Sequence, residues 1–278
     1  MEMTMIGSSG CGKTCYLYAT YVYMLDGVCG FSFFPSDWNQ GLELERGWDS
    51  ICTDATWPLG TDANSDTEYN FGVLLNGTKI GSFSWLDYRG GILNSTVNKE
   101  SPNDVTRFHN RCSKTDSFLV AIPADTLLKS DEGDQRAISI IRRYQVLLNY
   151  FPNIQNKPVS LVITKGDLIP NRESMQRCIS LFKKKFGTLF SERHKSLMVC
   201  RVSLGRFDGD MVQGGKFEGV IRPLRLHIPI LFPLWYELSR LARQYQSESE
   251  KYQKAADSIW DELVRNNVHI YSKGRCVL

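Results

Sequence analysis

Near the start of the chain stands Gly7-Ser8-Ser9-Gly10-Cys11-Gly12-Lys13-Thr14, a G-x-x-x-x-G-K-T stretch. Met3 to Ile6 ahead of it is a short apolar run. Behind it, Leu17, Tyr18, Tyr21, Val22 and Leu25 recur at helical spacing. A strand therefore feeds a glycine loop and the loop feeds a helix, which is the setting of a P-loop. The glycines let backbone N–H groups turn inward, and the helix N-terminus adds a dipole that favours an anion. The eight residues from Gly7 to Thr14 are thus candidates for cradling phosphate. In such a loop Lys13 reaches the β- and γ-phosphates and the Thr14 hydroxyl holds Mg2+.

Three later segments narrow the nucleotide. The apolar run from Ile80 to Leu86 ends in Asp87-Tyr88-Arg89-Gly90. That places Asp87 at a strand end, where it can hold Mg2+ through water. Gly90 lets its N–H approach a γ-phosphate without a Cβ in the way. Val159 to Ile163 is a continuous apolar run, as expected of a strand buried on both faces, and Thr164-Lys165-Gly166-Asp167 follows it directly. This tetrapeptide resembles the guanine-specificity motif [NT]-K-x-D of GTPases. An aspartate there accepts two hydrogen bonds from guanine N1–H and N2–H2. Adenine offers neither donor, and a site built for paired hydrogen bonds rejects a ligand lacking them strongly. Val199 to Leu204 resembles the last and loosest GTPase motif, with Ser203 and Leu204 as candidates to offer a backbone N–H to guanine O6.

P-loop, D-x-x-G, T-K-x-D and the serine loop stand in GTPase order, so the chain resembles the Ras-like GTPases of the translation-factor and Ras superclass over about residues 1–245. The phrase Trp57-Pro58-Leu59-Gly60-Thr61 is similar to the bacterial GTPase domains of double-GTPase conflict systems. Tyr69 to Leu75 and Lys79 to Leu86 read as two strands joined by Asn76-Gly77, a strong hairpin signal. A hairpin just before the Mg2+ aspartate suits the Ras-like fold. The expected architecture is α/β: a three-layer P-loop NTPase sandwich, mostly parallel, with one antiparallel hairpin. A GTPase domain over 1–245 and a C-terminal helical extension over 246–278 are expected. The resemblance implies GTP and GDP as ligands, Mg2+ as cofactor, and a switch threonine on that cation. Thr67 lies nearest the hairpin and Thr61 is the alternative. The long link 27–66 would carry the first switch, and 88–115 the second. Helices are expected over 135–151, 171–186 and 230–243, with strands at 118–122 and 197–203.

Composition excludes several classes. The chain has 278 residues, 42% of them hydrophobic, enough for a full core. A net charge of +3 is too small an imbalance to predict nucleic-acid binding. The most apolar stretch, Leu226 to Tyr236, contains Pro229 and Pro233 and falls well short of the roughly 20 residues that cross a bilayer. Cys276-Val277-Leu278 is one residue short of a prenylation signal, so neither a membrane span nor a lipid anchor is expected. No secretory leader is visible. The eight cysteines form no C-x-x-C pair and the four histidines have no ligand spacing, which predicts a reduced, cytoplasmic protein without zinc.

One position departs from the family. Ras-like enzymes place a water-orienting glutamine directly after the D-x-x-G glycine, and here that residue is Gly91. Lys13 and, from within the loop, Arg89 are then the candidate catalytic charges. A protein partner or activating factor is the other source of the missing group. Three readings stay open: a slow GTPase switch, a guanine-nucleotide-binding scaffold that hydrolyses nothing, and an ATP-dependent P-loop enzyme.

Overall fold

A computed structural model describes residues 1–53, 57–58, 67–87, 102–169, 171–207 and 219–278. Among the described residues the strands are β1 (Glu2–Gly7), β2 (Phe31–Pro35), β3 (Thr67–Leu75), β4 (Thr78–Asp87), β5 (Ser117–Pro123), β6 (Val159–Thr164), β7 (Leu197–Arg201), β8 (Ser203–Phe207), β9 (Gly219–Leu224), β10 (His269–Ser272) and β11 (Arg275–Cys276). The helices are α1 (Lys13–Leu25), α2 (Trp38–Cys52), α3 (Pro102–Lys114), α4 (Ala124–Asp131), α5 (Gln135–Tyr150), α6 (Arg172–Lys185), α7 (Ile228–Gln244) and α8 (Ser249–Arg265).

Nine of these strands form one sheet in the order β11-β10-β7-β6-β5-β1-β4-β3-β2, and β8 pairs with β9 apart from it. The centre, from β4 through β1, β5 and β6 to β7, is parallel. Every residue of β5 and β6 is buried, as expected when helices cover both faces. Two apolar clusters flank the sheet. Side chains of α1, α7 and α8 pack on one face with Met5, Phe71 and Trp85, and those of α3 to α6 pack on the other with Phe118 and Ile163. This is the three-layer α/β architecture of P-loop NTPases. The β3–β4 hairpin turns where the sequence places it, with Asn76 at φ 49° and Gly77 at φ 77°. Antiparallel pairing extends further than that hairpin, because β2 adds to β3 at one edge and β10 and β11 add to β7 at the other.

The link 27–66 is more structured than its turn-forming composition suggests. It holds β2 and α2, the latter capped by Asp37, whose carboxylate accepts the Asn39 N–H at 2.9 Å. Thr61, the alternative switch threonine, and the rest of 59–66 lie outside the described residues, as do 88–101 with Arg89, Gly90 and Gly91. No described helix is long and apolar enough to cross a membrane.

Helix α8 folds back onto α7 and buries Ala255, Ala256, Ile259 and Leu263 in the first cluster. A buried polar knot ties the two helices together. His227 Nε2 lies 3.1 Å from Glu262 Oε1, Asn266 Nδ2 donates to the same oxygen at 2.7 Å, and Arg265 Nη1 reaches Glu262 Oε2 at 3.0 Å. The bond from His227 above all holds the Glu262 carboxyl down to about 2, against the opposing effect of burial. A depressed carboxyl contributes stability that is complete above its ordinary value and is lost as pH falls from about 4.5 towards 2. Melting temperature should therefore fall over that window more steeply in the wild type than in Glu262→Gln. Parallel pH profiles would assign the acid sensitivity to other carboxylates.

Candidate functional site

Strand β1 ends at Gly7, and the chain then turns through Ser8–Gly12 into α1. Gly10 and Gly12 take φ of 74° and 91°, a left-handed region costly to other residues. Gly7 is required for another reason: a Cβ there would lie 2.5 Å from Cys11 Sγ and 3.1 Å from the Ala121 carbonyl. Lys13 is only 6% exposed. Its ammonium donates to the carbonyls of Gly7 at 2.9 Å and Ser8 at 3.2 Å, which holds the charge at the mouth of the loop.

The candidate cation residues come from α1, β4 and β3. The β1–β4 register sets Asp87 beside Met5, so its side chain emerges next to the loop. The Thr14 hydroxyl donates to Asp87 Oδ2 at 3.1 Å, and Asp87 is 4% exposed. Antiparallel pairing puts Thr67 directly across from Asp87. Thr14 and Asp87, 73 positions apart in sequence, thus meet Thr67 at one end of the β3–β4 pair. Their oxygens are hard donors of the kind Mg2+ takes alongside water and phosphate oxygens, so the residues fit that ion. The start of β3 is held from two sides. Gln40 of α2 donates to the Glu68 carbonyl at 2.8 Å, and Arg111 of α3 pairs with the Glu68 carboxylate at 2.8 Å.

The T-K-G-D segment lies at the C-terminal end of β6 and touches the phosphate loop. Thr164 Oγ1 donates to the Cys11 carbonyl at 2.7 Å. Lys165 sits at φ 53° and its ammonium reaches Asp125 Oδ2 at 3.4 Å. Gly166 has no room for a Cβ, which would lie 2.7 Å from the Val202 carbonyl, and its N–H donates to that oxygen at 2.9 Å. Asp167 follows in a short 3-10 turn, with Ser203 Oγ 3.0 Å from its Oδ1. Ser203 and Leu204 open strand β8, in which Ser203 pairs with Leu224 of β9 just before a shift in register. The structure therefore brings Gly7 to Thr14, Thr67, Asp87, Thr164, Lys165, Asp167 and Ser203 to one end of the sheet. Cys15, the residue after Thr14 in α1, has its thiol pushed up to about 12 by burial, which favours the protonated form.

One contact had no sequence signal. The hydroxyl of Tyr144, on α5, accepts the Ser8 N–H at 2.6 Å.

No protein-family model matches the chain, and no curated protein matches it. Solved structures do resemble it. The SRb-GTP/SRX complex of the signal recognition particle receptor from Chaetomium thermophilum is 15% identical, with a TM-score of 0.40, covering 76% of this chain and 92% of that one. An Era variant from Aquifex aeolicus bound to GDP·AlF4− is 16% identical, with a TM-score of 0.39, covering 87% and 67%. A sup35 complex with GDP is 15% identical, with a TM-score of 0.38, covering 73% of this chain, which spans only 36% of that one. Likeness at this level does not carry chemistry from one protein to another, so the site stands on its own residues.

Proposed function

We propose that this chain binds GTP and GDP with Mg2+ and works as a slow GTPase switch that acts on a protein partner. The observation that carries it is the bond from Thr164 to the Cys11 carbonyl, which joins a guanine-type T-K-x-D segment to the loop bearing Lys13. The candidate phosphate and base segments are thus in direct contact. Lys13 and the loop N–H groups would bind the phosphates, and Thr14, Asp87 and Thr67 would hold Mg2+. That ion would neutralise charge on the β- and γ-oxygens. Asp167 would read guanine, with Ser203 fixing its carboxylate. The whole site lies within 1–245, which we read as the GTPase unit, with 246–278 as its extension. All eight cysteines are unpaired, which suits a reducing cytoplasmic setting.

The first test is competition. GTP should displace a fluorescent GTP analogue, and ATP should not. Equal displacement by ATP would favour the ATP-dependent reading.

Turnover should be slow. Gly91 offers no side chain to align water, so single-turnover phosphate release without a partner should proceed at about 10^-4 per second, the scale of unassisted Ras. A rate near one per second would mean that the chain supplies its own catalytic group, and Arg89→Ala would be the first variant to examine. A rate no faster than that of Lys13→Ala would favour the non-hydrolysing scaffold.

A further inference from the structure

Helix α5 reaches the phosphate loop from behind through one side chain. Tyr144 is fully buried, and its hydroxyl uses both of its hydrogen-bonding capacities on backbone. It accepts the Ser8 N–H at 2.6 Å and donates to the Ala121 carbonyl at 2.7 Å, with Ser8 Oγ 3.3 Å away. Ala121 is the β5 partner of Gly7, so the hydroxyl stands where the loop leaves the sheet. Ser8 is 3% exposed, and without that oxygen its N–H would be a buried donor lacking an acceptor. Burial pushes the Tyr144 phenol well above its ordinary range, which keeps the hydroxyl proton in place for Ala121.

The consequence follows from the planarity of the peptide bond. The Ser8 N–H and the Gly7 carbonyl belong to one rigid peptide unit and point in opposite directions. Tyr144 holds the N–H end. The carbonyl end holds Lys13 Nζ at 2.9 Å. We infer that Tyr144 is a positioning residue for phosphate binding, whose hydroxyl sets the Gly7–Ser8 peptide plane and through it the placement of the Lys13 ammonium. The inference rests on the proposed nucleotide site and adds to it a residue 136 positions from the loop.

The test compares GDP with GMP. In a P-loop the lysine serves the β- and γ-phosphates, so GMP binding should not depend on how Lys13 is placed. Tyr144→Phe in the full chain should lower GDP affinity about tenfold, the effect of about one misdirected charge-assisted bond, while changing GMP affinity less than about twofold. Ser160→Ala is the control. Its buried hydroxyl donates to the Pro229 carbonyl at 2.9 Å, and it should lower the melting temperature while leaving the GDP-to-GMP ratio unchanged. An unchanged ratio in a folded Tyr144→Phe overturns the inference. If Tyr144→Phe does not fold, 3,5-difluorotyrosine at position 144 keeps the ring and hydroxyl but weakens the acceptor. It should lower the ratio by a smaller factor, and an unchanged ratio there also overturns the inference. A wild-type chain that binds no GDP removes the proposed function along with it. A wild-type chain that binds GDP with an insensitive ratio removes the inference alone.

Discussion

Replacing Lys13 by alanine should lower GTP affinity by about 10^2- to 10^4-fold while leaving the fold in place. The ammonium is expected to make two charge-assisted contacts to the β- and γ-phosphates, each worth about 1.5–3 kcal/mol, and every 1.4 kcal/mol is tenfold in binding. In the structure the same group is nearly buried and holds the Gly7 and Ser8 carbonyls. The Tyr144 hydroxyl still holds the Gly7–Ser8 peptide once the lysine is gone, so the loop should keep its place, whereas a bound triphosphate cannot replace the missing charge. Titration with a fluorescent GTP analogue beside circular dichroism separates loss of binding from loss of structure. A folded Lys13→Ala that binds like the wild type would falsify the phosphate-loop assignment.

The second large effect is expected at Asp167. Asp167→Asn should weaken GTP by about 10^2-fold or more and make xanthosine triphosphate the better ligand. The carboxylate accepts from two guanine donors, and a site built for such pairs rejects mismatched ligands by as much as about 10^4-fold. Asparagine presents an N–H where xanthine presents a carbonyl, so the loss on guanine becomes a gain on xanthine. Ser203 donates to Asp167 Oδ1 at 3.0 Å, and an asparagine oxygen can accept that bond as well, so the turn should survive the change. Displacement of the analogue by each triphosphate from wild type and variant measures the switch. Equal preference for GTP in both proteins would move base recognition away from this turn.

Both predictions concern residues whose roles are local in the sequence. A strand, a glycine loop and a helix occupy one continuous segment, and the φ values at Gly10 and Gly12 follow from residue type. The hairpin at Asn76-Gly77 and the caps Asp134 and Asn171 of α5 and α6 are local in the same sense, since each bonds a backbone group at most three residues away. The buried strand before T-K-G-D is legible because helices on both faces demand a continuous apolar run.

Helix α2 was hidden by two glycines that normally weaken a helix. Their purpose is contact. A Cβ on Gly41 would lie 2.9 Å from the Pro35 ring, and one on Gly47 would strike the Tyr18 ring at 2.3 Å. Strands β8 to β11 were hidden because they are short and lie apart from the sheet or at its edge, where pairing partners rather than periodicity decide the state.

Residue order by itself determined the phosphate loop, the hairpin, the central strands and the chemical type of each candidate side chain, because those features depend on local φ preference, capping and burial period. Only the tertiary structure decided that Thr67 faces Asp87, that Thr164 bonds the Cys11 carbonyl, and that the Tyr144 hydroxyl accepts the Ser8 N–H. The last two are hydrogen bonds between residues 153 and 136 positions apart, and the first depends on a register shift at Val73/Leu74 that the turn residues do not dictate. No local preference encodes such a contact, and it exists only once the sheet sets strand order and register.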